Sequence, residues 1–218
     1  MQMLKHGLIA YSTDITKLNS KEIENMIKRI NRSSLQNKRL QKYTDNTGYR
    51  NKNVEITGKD VELLDKSYVE QAMKRLSEDI YNLVSNVENM NEEEYLQKAA
   101  ALQYRFLRIH PFPDSNGRTS RFLLNMITIP KGVMINFPKE TKKEYTKLLN
   151  EKHNEVDKKG YLKALEENSD DLEKIELETN TLIDEYISNN SISVKEMNKN
   201  ERDLTSKENS VEKYLEKD

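Results

Sequence analysis

The chain has 218 residues and a mass of 25.6 kDa, enough for one domain with an appendage. Hydrophobic residues make up 35% and charged residues 33%, with a mean hydropathy of −0.92, so a modest core under a long solvated surface is expected. The absence of cysteine excludes disulfide frameworks, thiolate zinc sites and cysteine nucleophiles, and the 6 Gly and 4 Pro argue against a many-turned sandwich or barrel. No run approaches a membrane span, and residues 1–12 lack the apolar core of a signal peptide, so a protein with no membrane partner is expected, cytoplasmic by default. The net charge of −1 conceals an asymmetry: residues 1–150 carry +7 and residues 151–218 carry −8. Asn25–Thr44 holds Lys28, Arg29, Arg32, Lys38, Arg39 and Lys42 and no acid, which suits either a polyphosphate or a solvated helix face. No nucleic-acid-binding motif accompanies these charges, so nucleic acid is not expected as a partner.

Helical periodicity dominates the chain. Ile23, Met26, Ile27 and Ile30 form one apolar stripe, with Ser20 at the N-cap position. Between this helix and the next, Val54, Ile56, Val61 and Leu63 alternate around Thr57-Gly58-Lys59-Asp60, a short β-hairpin pattern. Val69, Met73, Leu76, Ile80 and Leu83 repeat the helical stripe, with Ser67 as its cap. A longer helix runs from Asn91 to about His110, and its alanines suit a buried central position. Another opens near Asn116, carries Phe122, Leu123 and Met126, and is bounded by Pro130 and Gly132. Further helices are expected at 141–155 and 172–186, the latter for packing. After about Ser188 the apolar residues thin into a peripheral helix or tail.

Residues 110–121 read HPFPDSNGRTSR. A helix ends at His110, because Pro111 and Pro113 forbid continuation. Asp114, Ser115 and Asn116 are capping residues, and Gly117 permits close approach of a ligand to the backbone. The next helix sets Arg118 and Arg121 one turn apart on one face. A helix N-terminus with free N–H groups beside two guanidinium groups suits a polyphosphate. Asp114 at its rim can hold Mg²⁺ together with phosphate oxygens, and His110 is the obvious proton acceptor at neutral pH. Each residue alone could be an ordinary cap or surface group. Base, carboxylate, Asn-Gly and two arginines within twelve residues together describe nucleotidyl or phosphoryl transfer.

This segment resembles the motif of the Fic family, HxFx(D/E)GN(G/K)RxxR. His110, Phe112, Asp114, Asn116, Gly117, Arg118 and Arg121 match, and Ser115 stands where the family usually has Gly. Gly48-Tyr49-Arg50 followed by Val54–Gly58 is similar to the segment leading into the family's flap. The resemblance covers roughly residues 15–160. It implies an all-α, Fic-type helical bundle with a short β-hairpin flap, and an enzyme that transfers AMP from ATP to a protein hydroxyl. By that resemblance His110 is the base and Asp114 holds Mg²⁺ between the α- and β-phosphates. Ser115, Asn116 and Gly117 line the anion hole, Arg118 neutralises the leaving pyrophosphate, and Arg121 holds the γ-phosphate. Phe112 is structural. Thr57 and Gly58 of the flap touch the nucleotide, Tyr145 borders the adenine, and the target docks on the hairpin at 54–63; self-modification is a further expectation. Gly117 rather than Lys favours AMP transfer over kinase activity. The same fold could instead use another donor or remove AMP, or bind nucleotide without turnover.

Many Fic proteins carry an inhibitory helix reading (S/T)xxxE(G/N), and Ser20, Glu24 and Asn25 fit it. The resemblance implies that Glu24 reaches Arg121 and takes the γ-phosphate's place; alternatively Ser20 is only a cap with acids in the first turn. A rival match at Thr181–Glu185 is broken by Tyr186. The expected division is an N-terminal segment at 1–45, a Fic core at 46–160, C-terminal helices at 161–190 and a polar peripheral helix or tail at 191–218.

Overall fold

The periodic stretches fold as helices over the residues that the computed structural model describes, 14–35, 42–56, 61–179 and 181–194. In chain order these are α1 (Ser20–Ser34), α2 (Val69–Ser85), α3 (Glu92–Ile109), α4 (Asn116–Thr128), α5 (Lys142–Lys158), α6 (Tyr161–Glu166), α7 (Asp171–Glu178) and α8 (Thr181–Asn189). Strand β1 (Val133–Ile135) follows α4, and β2 (Ser191–Ser193) follows α8. Ile23, Met26 and Ile27 of α1 share one core with Met73, Leu76 and Ile80 of α2 and Leu123 of α4, each at most 1% exposed. Burying each such side chain contributes about 1.5–3 kcal/mol against the entropy of ordering it.

Helix α3 is central, with α2, α4, α7 and α8 all packed against it. Its Ala99, Ala100 and Ala101 are buried, and their small side chains let neighbouring helices approach closely. Towards its C-terminus two buried arginines pin it to its surroundings. Arg105 is bidentate to Glu176 of α7, with Nε–Oε1 and Nη2–Oε2 both 2.8 Å, and also bonds Asp79 of α2. Arg108 donates to Asp157 of α5 at 2.6 Å and to the Glu62 carbonyl at 3.0 Å.

Several local expectations are corrected. The cap of α1 is Asn19, not Ser20. Its side chain accepts from Glu22 N at 3.0 Å while Glu22 accepts from Asn19 N at 2.9 Å, a reciprocal box that Ser20 could not form one residue later. The turn before α2 is capped by Asp65, which accepts from Ser67 N at 2.8 Å. The expected helix over 172–186 is two helices. Thr179 follows α7 and spends its hydroxyl on the Ile175 carbonyl at 2.7 Å, leaving α8 to start afresh.

The expected hairpin is not paired among its described residues: 54–56 and 61–63 form no ladder, and 57–60 lie outside the described residues. The buried residue of the second segment is Leu64, 1% exposed, rather than the alternating Val61 and Leu63. The carbonyls of Glu62 and Leu64 are taken by Arg108 and Arg50, not by a partner strand. The sheet that is present pairs β1 with β2, antiparallel, with Val133 opposite Ser193 and Ile135 opposite Ser191. Residues 191–193 of the expected tail therefore belong to the fold, and 195–218 lie outside the described residues. No helix among the described residues is long and apolar enough to cross a membrane.

Candidate active site

The segment from His110 to Arg121 is a six-residue loop, which begins at the C-cap of α3, and the first turns of α4. Two non-glycine residues in the left-handed region bracket it, His110 at φ 48° and Ser115 at φ 67°. Such conformations cost about 1–3 kcal/mol each and persist where surrounding contacts over-determine them. Those contacts are present. His110 N closes the helix on the Phe106 carbonyl at 3.0 Å. Phe112, 2% exposed, packs on Tyr49 and Phe106 with ring centroids 5.8 and 6.2 Å away. The Asn116 amide bridges back across the loop, accepting from Phe112 N at 3.0 Å and donating to Phe112 O at 2.7 Å. Asn31 of α1 donates to the Asp114 carbonyl at 2.9 Å and to the Thr119 hydroxyl at 3.1 Å.

His110 Nδ1 lies 3.3 Å from the Leu107 carbonyl. A carbonyl only accepts, so Nδ1 carries the hydrogen and Nε2 keeps its lone pair. Burial pushes the imidazole down to about 4, and the Arg50 charge acts in the same direction, against the Leu107 carbonyl and Asp114. The ring is therefore neutral at pH 7, the form a proton acceptor needs.

At the start of α4 no side chain caps the helix, so the first-turn N–H groups, which have no intrahelical acceptors, are left for an anion. Gly117 has an ordinary helical backbone, and the nearest atom to where a Cβ would stand is Nη1 of Arg121 at 3.8 Å. The fold itself therefore tolerates a side chain there, and the glycine leaves room beside the helix end. Arg118 donates to Ser115 Oγ at 2.5 Å and stands 3.7 Å from Asp114. Arg121 lies over the Phe137 ring, 5.8 Å from its centroid, and forms no ion pair among the described residues. Burial, reinforced by the charge of Arg118, lowers its pKa. A half-buried guanidinium with no carboxylate among the described residues is suited to receive an anion.

Asp114 has a side chain 40% exposed, with one oxygen held by Ser115 N at 2.6 Å. Among the described residues no three His, Cys, Asp or Glu side chains gather into a metal cluster. A single exposed carboxylate fits Mg²⁺, which takes one or two protein carboxylates and completes its shell with water and phosphate oxygens.

Not every expected residue joins this group. The Glu24 carboxylate accepts from Lys28 at 2.7 Å, from Lys21 at 3.1 Å and from the Tyr49 hydroxyl at 2.8 Å, and no bond to Arg121 is made. Glu24 sits on the buried face of a helix packed against α2 and α4, where near donors satisfy it. Ser20 and Asn25 are half-buried and exposed on the same helix. Tyr145 is 5% exposed, donates to Gln103 Oε1 at 3.0 Å and packs edge-on against Phe137 and at a tilt against Tyr186, behind the ring over which Arg121 lies. Glu185 of the rival match is exposed, while Tyr186 is the residue that packs. Thr57 and Gly58 lie outside the described residues. Phe137 stands in no motif; Arg50 belongs to the Gly48-Tyr49-Arg50 segment that precedes the flap, but its role is recognisable only once its acceptors are known.

Comparison with known proteins agrees with this architecture. Residues 18–128, half of the chain, match the model of the Fic/DOC family. "Protein adenylyltransferase fic-1" from Caenorhabditis elegans is 32% identical over 106 residues, 39% of this chain and 21% of that protein. "Protein adenylyltransferase Fic" from Drosophila mojavensis is 39% identical over 70 residues, 30% of this chain and 14% of that protein. The match thus spans about a fifth or less of the length of these relatives. A solved Fic-domain-containing signaling protein from Bacteroides thetaiotaomicron shares the fold, with a TM-score of 0.52 at 23% identity, over 88% of this chain and 74% of its own. The left-handed histidine, the loop closed by Asn116 and the two arginines of α4 lie within or at the edge of the matched span: the chain belongs to the Fic/DOC family.

Proposed function

We propose that the protein transfers AMP from ATP to a hydroxyl of a protein, its own chain included. The observation that carries the reading is the neutral His110 held beside an uncapped helix end that bears Arg118 and Arg121. Phosphoryl-type transfer needs positioning and charge stabilisation more than covalent chemistry, and these residues supply both. The matched relatives carry the name protein adenylyltransferase, which supports the same reading.

In the step proposed, the acceptor hydroxyl oxygen attacks the α-phosphorus. A bond forms between them, the bond from the α-phosphorus to the α–β bridging oxygen breaks, and pyrophosphate leaves with the electron pair. The hydroxyl proton passes to Nε2 of His110. The first-turn N–H groups and Gly117 receive phosphate oxygens, Arg118 exchanges Ser115 for phosphate, and Arg121 holds the terminal phosphate. Asp114 would hold Mg²⁺, which would neutralise phosphate charge. The Glu62 carbonyl is tied to Arg108 near the C-terminal end of α3, and the segments at 54–56 and 61–63 take the target chain alongside the loop.

The test is transfer from ATP labelled at the α- or the γ-phosphate, with wild type and His110→Ala. Label on protein from the α-position alone is expected for wild type. His110→Ala is expected to lose at least about a hundred-fold in transfer while keeping ATP affinity, because the base acts on the acceptor and not on the phosphates. Label from the γ-position, or none, rejects AMP transfer.

A further inference from the structure

Arg50 lies outside the motif and is 1% exposed. A buried arginine normally faces a carboxylate. Here, among the described residues, no carboxylate stands within ion-pair distance, and its five guanidinium N–H groups all meet amide oxygens. Nε donates to the His110 carbonyl at 2.9 Å. Nη1 donates to the Lys52 carbonyl at 2.9 Å and to Asn53 Oδ1 at 3.2 Å. Nη2 donates to the Ile109 carbonyl at 3.4 Å and to the Leu64 carbonyl. The backbone N–H of Arg50 adds a bond to the Pro111 carbonyl at 2.8 Å.

These acceptors fall into two groups. Ile109, His110 and Pro111 are the last turn of α3 and the start of the motif loop, where carbonyls lack intrahelical partners. Lys52, Asn53 and Leu64 belong to the two segments that flank 57–60. Asn53 ties those segments to each other, accepting from Lys66 N at 2.8 Å and donating to Asp65 at 2.6 Å. Arg50 is thus the joint between the base and the proposed docking segments. The carbonyl it holds belongs to His110 itself, whose left-handed conformation needs such a restraint.

We propose that Arg50 is a positioning residue: it fixes the backbone of His110 and couples that residue to the segments 52–56 and 61–66, so that the order of one depends on the other. The proposal rests on the transfer reaction above for its catalytic consequence, but the coupling is a property of the fold. Lysine keeps the charge with three donors and cannot span five acceptors in a plane.

The experiment compares Arg50→Lys with wild type by amide hydrogen exchange on the full chain and by transfer of α-³²P from ATP into the chain. Exchange is expected to accelerate together at 52–56, 61–66 and 110–116, and to stay unchanged in α5. Transfer is expected to fall at least about ten-fold in kcat with KM for ATP within about two-fold, since sub-ångström displacement of a base costs rate and not nucleotide binding. Acceleration confined to 52–66, with 110–116 still protected, overturns the coupling, and an unchanged kcat overturns the positioning role. If Arg50→Lys does not fold, Asn53→Ala removes one acceptor and the Lys66 tie. It must then accelerate exchange at 110–116 as well as at 61–66, and acceleration at 61–66 alone overturns the coupling. If wild type itself transfers no label, the proposed reaction fails while the exchange measurement still decides the coupling.

Discussion

Ser115 is where this chain departs from the Fic motif, and its geometry sets two opposing terms against each other. Its φ of 67° and ψ of 12° lie in a region that costs an L-residue about 1–2 kcal/mol relative to glycine. Its hydroxyl donates to the Ser34 carbonyl at 3.2 Å and accepts from Arg118 at 2.5 Å, each bond worth about 0.5–1.5 kcal/mol net. The terms nearly cancel, so Ser115→Gly is expected to change stability by less than about 1 kcal/mol. Ser115→Ala keeps the strain and loses both bonds, and is expected to fall by about 1–3 kcal/mol. Urea midpoints of the three proteins check the order, and an alanine variant as stable as the glycine one contradicts it. His110 offers a second test at this scale. Its ring is held neutral to about pH 4, below the ordinary 6.5, chiefly by burial. Between those values the unfolded chain binds a proton that the folded chain refuses, so stability falls as pH drops through that window. An NMR titration of the free protein should place the His110 midpoint below 5; a midpoint near 6.5 would mean a solvated ring.

At the scale of elements, α1 carries the clearest disagreement between motif and geometry. Burial opposes ionisation of Glu24, but hydrogen bonds from Lys28, Tyr49 and Lys21 outweigh it and hold its carboxyl below the ordinary value. That stabilisation is present above about pH 4.5 and is lost as pH falls through the lowered value. Glu24→Gln leaves Lys28, whose side chain is 12% exposed, without its carboxylate. It is expected to cost about 1–3 kcal/mol and to flatten the acid limb of stability, with transfer at or below the wild-type rate. Guanidinium melts at pH 7 and pH 4 together with the transfer assay check this; activation would restore the inhibitory reading of Glu24. The sequence leaves the partner of Glu24 open for a physical reason. Ile23, Met26 and Ile27 announce a helix and its buried face through their period, but nothing in that period says whether Glu24 meets Tyr49 or Arg121. The motif at 110–121 was readable because its parts are neighbours on one loop and one helix turn. The hairpin at 54–63 rested on four alternating residues, too few to outweigh the guanidinium groups of Arg50 and Arg108, which claim the carbonyls that a strand partner would need. Arg50 stands in the segment that resembles the approach to the flap, but its bonding role is not legible there, because backbone carbonyls carry no sequence signature.

At the scale of the molecule, the family span ends at residue 128 while the core does not. Leu172, Tyr186 and Ile187 are buried with the residues of α3, so α7 and α8 complete the core that α1–α4 begin. Helix α3 packs on elements from both before and after residue 160. Glu176 is the sharpest probe of the dependence. It is fully buried and receives Nε and Nη2 of Arg105 and the Tyr161 hydroxyl, while its carbonyl accepts from Lys152 at 3.0 Å. Removing one partner of such a pair leaves a buried charge uncompensated, at a cost of about 3–5 kcal/mol, against a total stability of about 5–15 kcal/mol for a domain. Glu176→Gln is therefore expected to lower Tm by about 10 °C for a chain of this length. Replacing both members, as Arg105→Met with Glu176→Met, removes the stranded charge and is expected to recover at least about half of the loss. Asp79 and the Tyr161 hydroxyl keep the recovery incomplete, since each loses a partner. Thermal melts of the single and double variants decide it. A Glu176→Gln variant melting within about 2 °C of wild type would mean that Asp79 alone satisfies Arg105 and that α7 is dispensable to α3. With the pair broken, transfer measured well below the lowered Tm should keep its rate, because the bonds of α7 to α3 go to the body of that helix and, among the described residues, no hydrogen bond of α7 reaches the loop that follows Ile109.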